Sequence, residues 1–159
     1  MFEAQKDYNW LANEMKKRIG KPSKDVEYPV WAWYIHDSSR KKPDLRKTGL
    51  VRRGKRMVCL EIDIPDNEVV LSDEEAWHFV INDWYLSGAT DEAAFDKDIS
   101  WFESLPDNKK QEVKLISWQR IFDIEPFANG FEIKGRYVQA TFWELRAEQI
   151  RKVQFFTAR

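Results

Sequence analysis

Apolar residues recur at intervals of three and four between Phe2 and Ile19. Tyr8, Leu11, Ala12, Met15 and Ile19 form one stripe, which predicts a helix closed by Gly20 and Pro22. The pattern then shortens. Tyr28–Ile35 reads YPVWAWYI, an aromatic and β-branched run that predicts a buried-type strand. A loop is expected over 36–54. Arg56–Ile64 reads as a mostly buried second strand, marked by Met57, Cys59 and Leu60, and Glu68–Leu71 as a short third. Ser72 followed by Glu75 forms a capping-box pattern ahead of Ala76, Trp77, Val80, Ile81 and Trp84, so a helix is expected there. Further helices are predicted over 90–105 and 107–120, divided by Pro106, with turns at Asn129-Gly130 and Gly135. Arg136–Glu144 alternates, with Val138, Ala140 and Phe142 on one face and Tyr137, Gln139, Thr141 and Trp143 on the other. A helical turn over 146–150 and a strand over 151–157 complete the pattern. It predicts one α+β domain over 1–159, with a mixed, mostly antiparallel sheet and flanking helices.

Composition sharpens this picture. The chain of 159 residues is long enough to bury a core, and its 43% hydrophobic content excludes a disordered chain. Eight tryptophans and ten phenylalanines make that core aromatic, or line a cleft with rings. Cys59 is the only cysteine, so no intramolecular disulfide forms. It is expected as a small core residue, and a reducing, cytoplasmic setting follows. No leader pattern and no membrane-length apolar run occurs.

Charge is unevenly spread. Residues 1–60 carry 15 basic and 7 acidic side chains, and residues 61–112 carry 3 and 15. The two segments either make opposed surface fields or neutralise each other by packing side by side. The basic residues concentrate at Arg40, Lys41, Lys42, Arg46, Lys47, Arg52, Arg53, Lys55 and Arg56. Such a patch would take phosphates or an acidic protein partner, and a solvated loop is the plainer reading. No aromatic interleaves it, so base stacking there has no support.

Familiar catalytic patterns are missing. His36 and His78 fit no metal-ligand spacing, so no metal is expected. The six glycines are scattered rather than gathered into a phosphate loop, and there is no GxSxG elbow.

Four strings carry a resemblance: YPVWAWY at 28–34, KKPDLR at 41–46, VCLEIDIPDNEVVLSDEEAWHFVINDWYL at 58–86, and QATFWELRAEQIRKVQFF at 139–156. Together they resemble a bacterial and phage family known as domain of unknown function 3841. That resemblance implies a shared fold and no activity. A weaker one rests on EIDIPD before a Trp-bearing helix, and on the later Gln139-Ala140-Thr141-Phe142. It is similar to ADP-ribosyltransferase-like folds. It implies NAD or another nucleotide as cofactor, Gln139 as the catalytic residue at the ribose, and Trp31, Trp33 and Tyr34 as rings stacking on the nicotinamide. A carboxylate would stabilise the oxocarbenium-like ribose better than the neutral Gln139 does.

Two readings therefore stand. One is an NAD- or nucleotide-binding domain, active or degenerate. The other is a non-catalytic phage or mobile-element module that meets a host protein or nucleic acid through charged surfaces. The pattern leaves open whether the chain is an enzyme.

Overall fold

A computed structural model describes residues 4–41, 45, 54–129 and 131–157. The α+β expectation holds, with four α-helices and seven strands among these residues. Helix α1, Ala4–Ile19, buries Leu11, Ala12 and Met15, the centre of the stripe. It stops at Gly20, whose positive φ suits glycine. Strand β1, Val30–Ile35, β3, Val70–Asp73, and β6, Val138–Phe142, form a three-stranded sheet in the order β1-β6-β3.

β6 is central, so both of its edges are paired, and residues on both of its faces are buried. Val138, Ala140 and Phe142 are buried on one face and Thr141 on the other. Strands β2, Arg56–Ile62, and β7, Ile150–Thr157, pair only with each other, as do β4, Phe127–Ala128, and β5, Ile133–Lys134. Every described pairing is antiparallel, and the expected mixed sheet is resolved into three separate ones.

The core lies between the three-stranded sheet and the helices. Leu11, Met15, Val70, Trp77, Val80, Leu86, Trp118 and Ile121 form it. Trp118 is wholly buried and its indole N–H donates to the Trp84 carbonyl at 2.7 Å, which satisfies the polar end of the ring. Helices α2, Glu74–Ile81, and α4, Asp107–Ser117, and a 3-10 turn over Trp118–Phe122 contribute to it or pack against it, while α3, Glu92–Ser104, attaches through Phe102 stacked on Tyr85. Among the described residues no helix is long and apolar enough to cross a membrane.

Three expectations are corrected. The α2 cap is Asp73, not Ser72. Its Oδ1 accepts from the Ala76 N–H at 2.9 Å, and its Oδ2 accepts from the Gly135 N–H at 2.7 Å. β3 runs two residues further than the pattern suggests, so Ser72 stays in the ladder opposite Gln139. Trp84 lies outside α2, 58% exposed. The helix ends in a Schellman turn, with Asp83 at positive φ and the Trp84 N–H donating to the Phe79 carbonyl at 2.8 Å. Third, β2 is not a buried strand. It is covered along its β7 edge alone, and Met57, Val58 and Leu60 are exposed.

Candidate functional site

Among the described residues β1 borders the sheet, with β6 as its one partner. Its aromatic residues therefore take different surroundings. Trp31 turns inward, with ring centroids 6.1 Å from Tyr8 and 5.4 Å from Trp77, and packs against the core. Trp33 registers opposite Gln139 and meets His36 edge-on at 5.2 Å and Tyr137 at 6.2 Å. His36 and Tyr137 also meet, at 5.2 Å. Between Trp33 and Ile35 the register shifts, and Tyr34 is the extra residue of that bulge. The Arg40 guanidinium lies 4.3 Å from the centre of the Tyr34 ring, a cation–π contact.

The chain leaves β1 through a tight turn, His36 to Ser39, in which Asp37 and Ser38 both have positive φ. This is the turn class that favours Asn-Gly, so two non-glycine residues here carry backbone strain. Arg136 holds it. The Ser38 N–H donates to the Arg136 carbonyl at 2.8 Å, and the guanidinium Nε and Nη2 donate to Asp37 Oδ1 at 2.9 and 2.7 Å. Those bonds to Asp37, with Tyr137 and Glu75 nearby, raise the Arg136 pKa above its ordinary value.

A cleft of about 740 Å³ runs between β1 and β2. Residues 30–34 line one side and 58–62 the other. Phe142 of β6 and Leu145 also line it, with His36, Ser39, Arg40 and Lys41. The consecutive lining residues are informative. Successive side chains of a strand point to opposite faces, so a cleft against one face would touch every second residue. Contact with five in a row on both sides fits a space that runs along the two strand edges, and Phe142 shows that it also reaches one face of the sheet.

The expected site residues divide accordingly. Trp31, Trp33, Tyr34, Arg40 and Lys41 line this cleft. Gln139 does not. It stands one strand inward from Trp33, and its Oε1 is buried without a hydrogen-bond partner. The Oγ of Ser72, its register neighbour on β3, is likewise buried and unpartnered. Lys55 is exposed, and Arg56 lies at the outer end of the ribbon beside Met57 and Phe155. Lys42, Arg46, Arg52 and Arg53 fall outside the described residues. The sequence reading passed over His36 and Tyr137 as partners of Trp33. The signal was available, because His36 ends the aromatic run and Tyr137 shares the Gln139 face of the alternating strand.

Elsewhere the charges are largely matched. A second cavity of about 450 Å³ lies between the 86–90 segment and β5. Its cations are already engaged, Arg120 by the Leu86 carbonyl at 3.0 Å and Lys134 by Asp123. Three carboxylates of the acidic segment pair with cations from outside it. Asp63 pairs with Arg151 at 2.6 Å, Glu68 with Arg146 at 2.7 Å, and Asp83 with Lys114 at 2.7 Å and Lys6 at 3.5 Å. Burial works to raise the Asp83 carboxyl, but those two lysines hold it below its ordinary value. Glu74, Glu75 and His78 gather three ligand atoms within 4.8 Å on the α2 surface, with no buried ligand to complete a metal site.

No curated protein and no solved structure matches the chain. A family model does match, over residues 3–151 and thus most of the length, and the chain belongs to the family described as domain of unknown function (DUF3841).

Proposed function

We propose that the protein is a binding module whose working surface is the β1–β2 cleft, and that it docks a protein partner there. The carrying observation is the lining of that cleft, which runs along two strand edges that have no strand partner among the described residues, with Arg40 and Lys41 beside them. Open strand edges are where proteins take up extended partners, and cations add salt-sensitive steering. The acidic helices are the weaker candidate surface, since several of their carboxylates cap helices or sit in ion pairs. The test is capture from a cell lysate at low and high salt. Wild type and Asp96→Lys should retain a common protein that Arg40→Glu/Lys41→Glu loses. An identical set of captured proteins across all three would end this reading.

The Arg40–Tyr34 contact, with Trp33 on the same cleft, favours a second reading in which the ligand is NAD or a related nucleotide. Trp33 and Tyr34 would stack on a ring, Trp31 would brace Trp33 from the core, and Arg40 with Lys41 would meet phosphate. Gln139, directly behind Trp33, would be the group that approaches the ribose. Calorimetry with NAD should then show binding that Trp33→Ala weakens about tenfold or more, in line with the loss of one stacked ring. Absence of heat at millimolar NAD would eliminate it.

A further inference from the structure

Two backbone edges border the same cleft. β6 occupies one edge of β1, and β7 occupies one edge of β2. The cleft runs along 30–34 of the first strand and 58–62 of the second. In an antiparallel strand, alternate residues direct their N–H and C=O groups away from the paired neighbour. Among the described residues no hydrogen bond joins β1 to β2. Two short rows of backbone donors and acceptors therefore border one elongated space.

From this geometry we infer that the cleft accepts an extended acidic peptide segment as an added strand, hydrogen-bonded to β1 on one side and to β2 on the other. The inference rests on the protein-docking reading and names the form of the partner. Strand addition gets affinity from main-chain bonds and specificity from alternate side chains. The lining fixes both requirements. Val58 and Leu60, exposed on β2, line the cleft with Leu145, so one set of alternate positions on the added segment is apolar. Arg40 and Lys41 meet the other set, against one carboxylate, Glu61, among the described lining residues, so that set is acidic. Five residues along each side match a segment of about five residues at roughly 3.3 Å each. The added strand would join the three-stranded sheet and the ribbon into one sheet in the order β3-β6-β1-peptide-β2-β7. It would also cover backbone edges that otherwise invite unspecific pairing.

The probe is a capped peptide of about seven alternating valine and glutamate residues, titrated into the full chain by calorimetry and followed by amide hydrogen exchange. Three comparisons accompany it. One peptide has lysine for glutamate. Another keeps its side chains but carries N-methyl groups on alternate amides, which removes the donors along one edge. The third ligand is NAD. The acidic peptide should bind and slow exchange in both 30–34 and 58–62. N-methylation and the lysine exchange should each weaken it about tenfold or more, the scale expected when several main-chain bonds or a matched charge pair is lost. Equal binding of the N-methylated peptide overturns strand addition. So does protection of only one of the two strands, or no binding at millimolar peptide. Protection by NAD alone gives the cleft to the nucleotide instead. Capture that is lost on Arg40→Glu/Lys41→Glu, with no protection by peptide, retains the docking reading and rejects the added strand. If neither responds, both are rejected.

Discussion

The three-stranded sheet with its helices and the β2–β7 ribbon use the same kinds of residue to different ends. In the first, Trp118, Val138 and Phe142 are nearly or wholly buried, and side-chain packing supplements the backbone ladder. In the ribbon, Val58, Leu60, Val153 and Phe155 are exposed, Phe155 at 79%. A two-stranded ribbon alone is marginal in water, so this one depends on its anchors at the body. The Asp63 N–H donates to the Gln149 carbonyl at 2.8 Å, Arg151 pairs with Asp63, and Arg146 with Glu68. Hydrophobic residues thus stabilise the body by burial, while the same residue types in the ribbon remain available to something else.

Three substitutions test that contrast. The largest effect belongs to Trp118→Ala in the body. It removes a fully buried ring and the partner of the Trp84 carbonyl, and should cost about 3–5 kcal/mol in urea unfolding. A loss below about 1 kcal/mol would mean that the core is not centred there.

Glu14→Gln comes next. Burial raises the Glu14 carboxyl, but Lys17 at 2.6 Å, Gln119 and Arg18 outweigh it and leave its pKa below the ordinary 4.5. A depressed carboxylate pKa stabilises the fold fully above the unfolded value, and that contribution disappears as pH falls through the folded one. The variant should therefore lose about 1 kcal/mol near neutrality, and its difference from wild type should close at a pH below the folded pKa. Unfolding midpoints at both pH values check this, and a gap that stays constant with pH would remove the charge from the explanation.

The smallest effect is expected in the ribbon. Phe155→Thr replaces an exposed ring with another strand-forming residue and should shift stability by no more than about 0.5 kcal/mol. Amides of β2 and β7 should exchange faster than those of β6. A loss of several kcal/mol at Phe155 would show that this face is covered in solution and would collapse the distinction between the two regions.

Much of the fold was legible because local pattern and tertiary burial agree. The stripe through Leu11 and Met15 gives α1, and the alternation from Val138 to Phe142 gives β6. Trp77 and Val80 face the core as their helical spacing predicts. The misreadings share one cause. Met57, Cys59 and Leu60 look like a buried strand because hydrophobic identity carries no information about what lies opposite. Ser72 looks like a cap, yet Asp73 takes that place because its second oxygen is bonded by Gly135, a residue 62 positions away. Gly135 itself has positive φ, and a Cβ there would meet the Ile124 carbonyl at 2.8 Å, so glycine is required where the sequence shows only a turn signal.

The candidate site was half legible. Aromatic density pointed to Trp33 and Tyr34, and basic residues pointed to Arg40 and Lys41. That these share one cleft with β2, while Gln139 remains one strand behind, follows from strand order alone. By itself the sequence determined the helices, five of the seven described strands and the α+β class, since these depend on periodicity between near neighbours; the short β4–β5 hairpin showed only as turn signals. Tertiary structure decided which apolar faces are covered, which edges stay open and how the opposed charges pair. Those outcomes depend on contacts between residues far apart in the chain, where spacing along the sequence carries no distance.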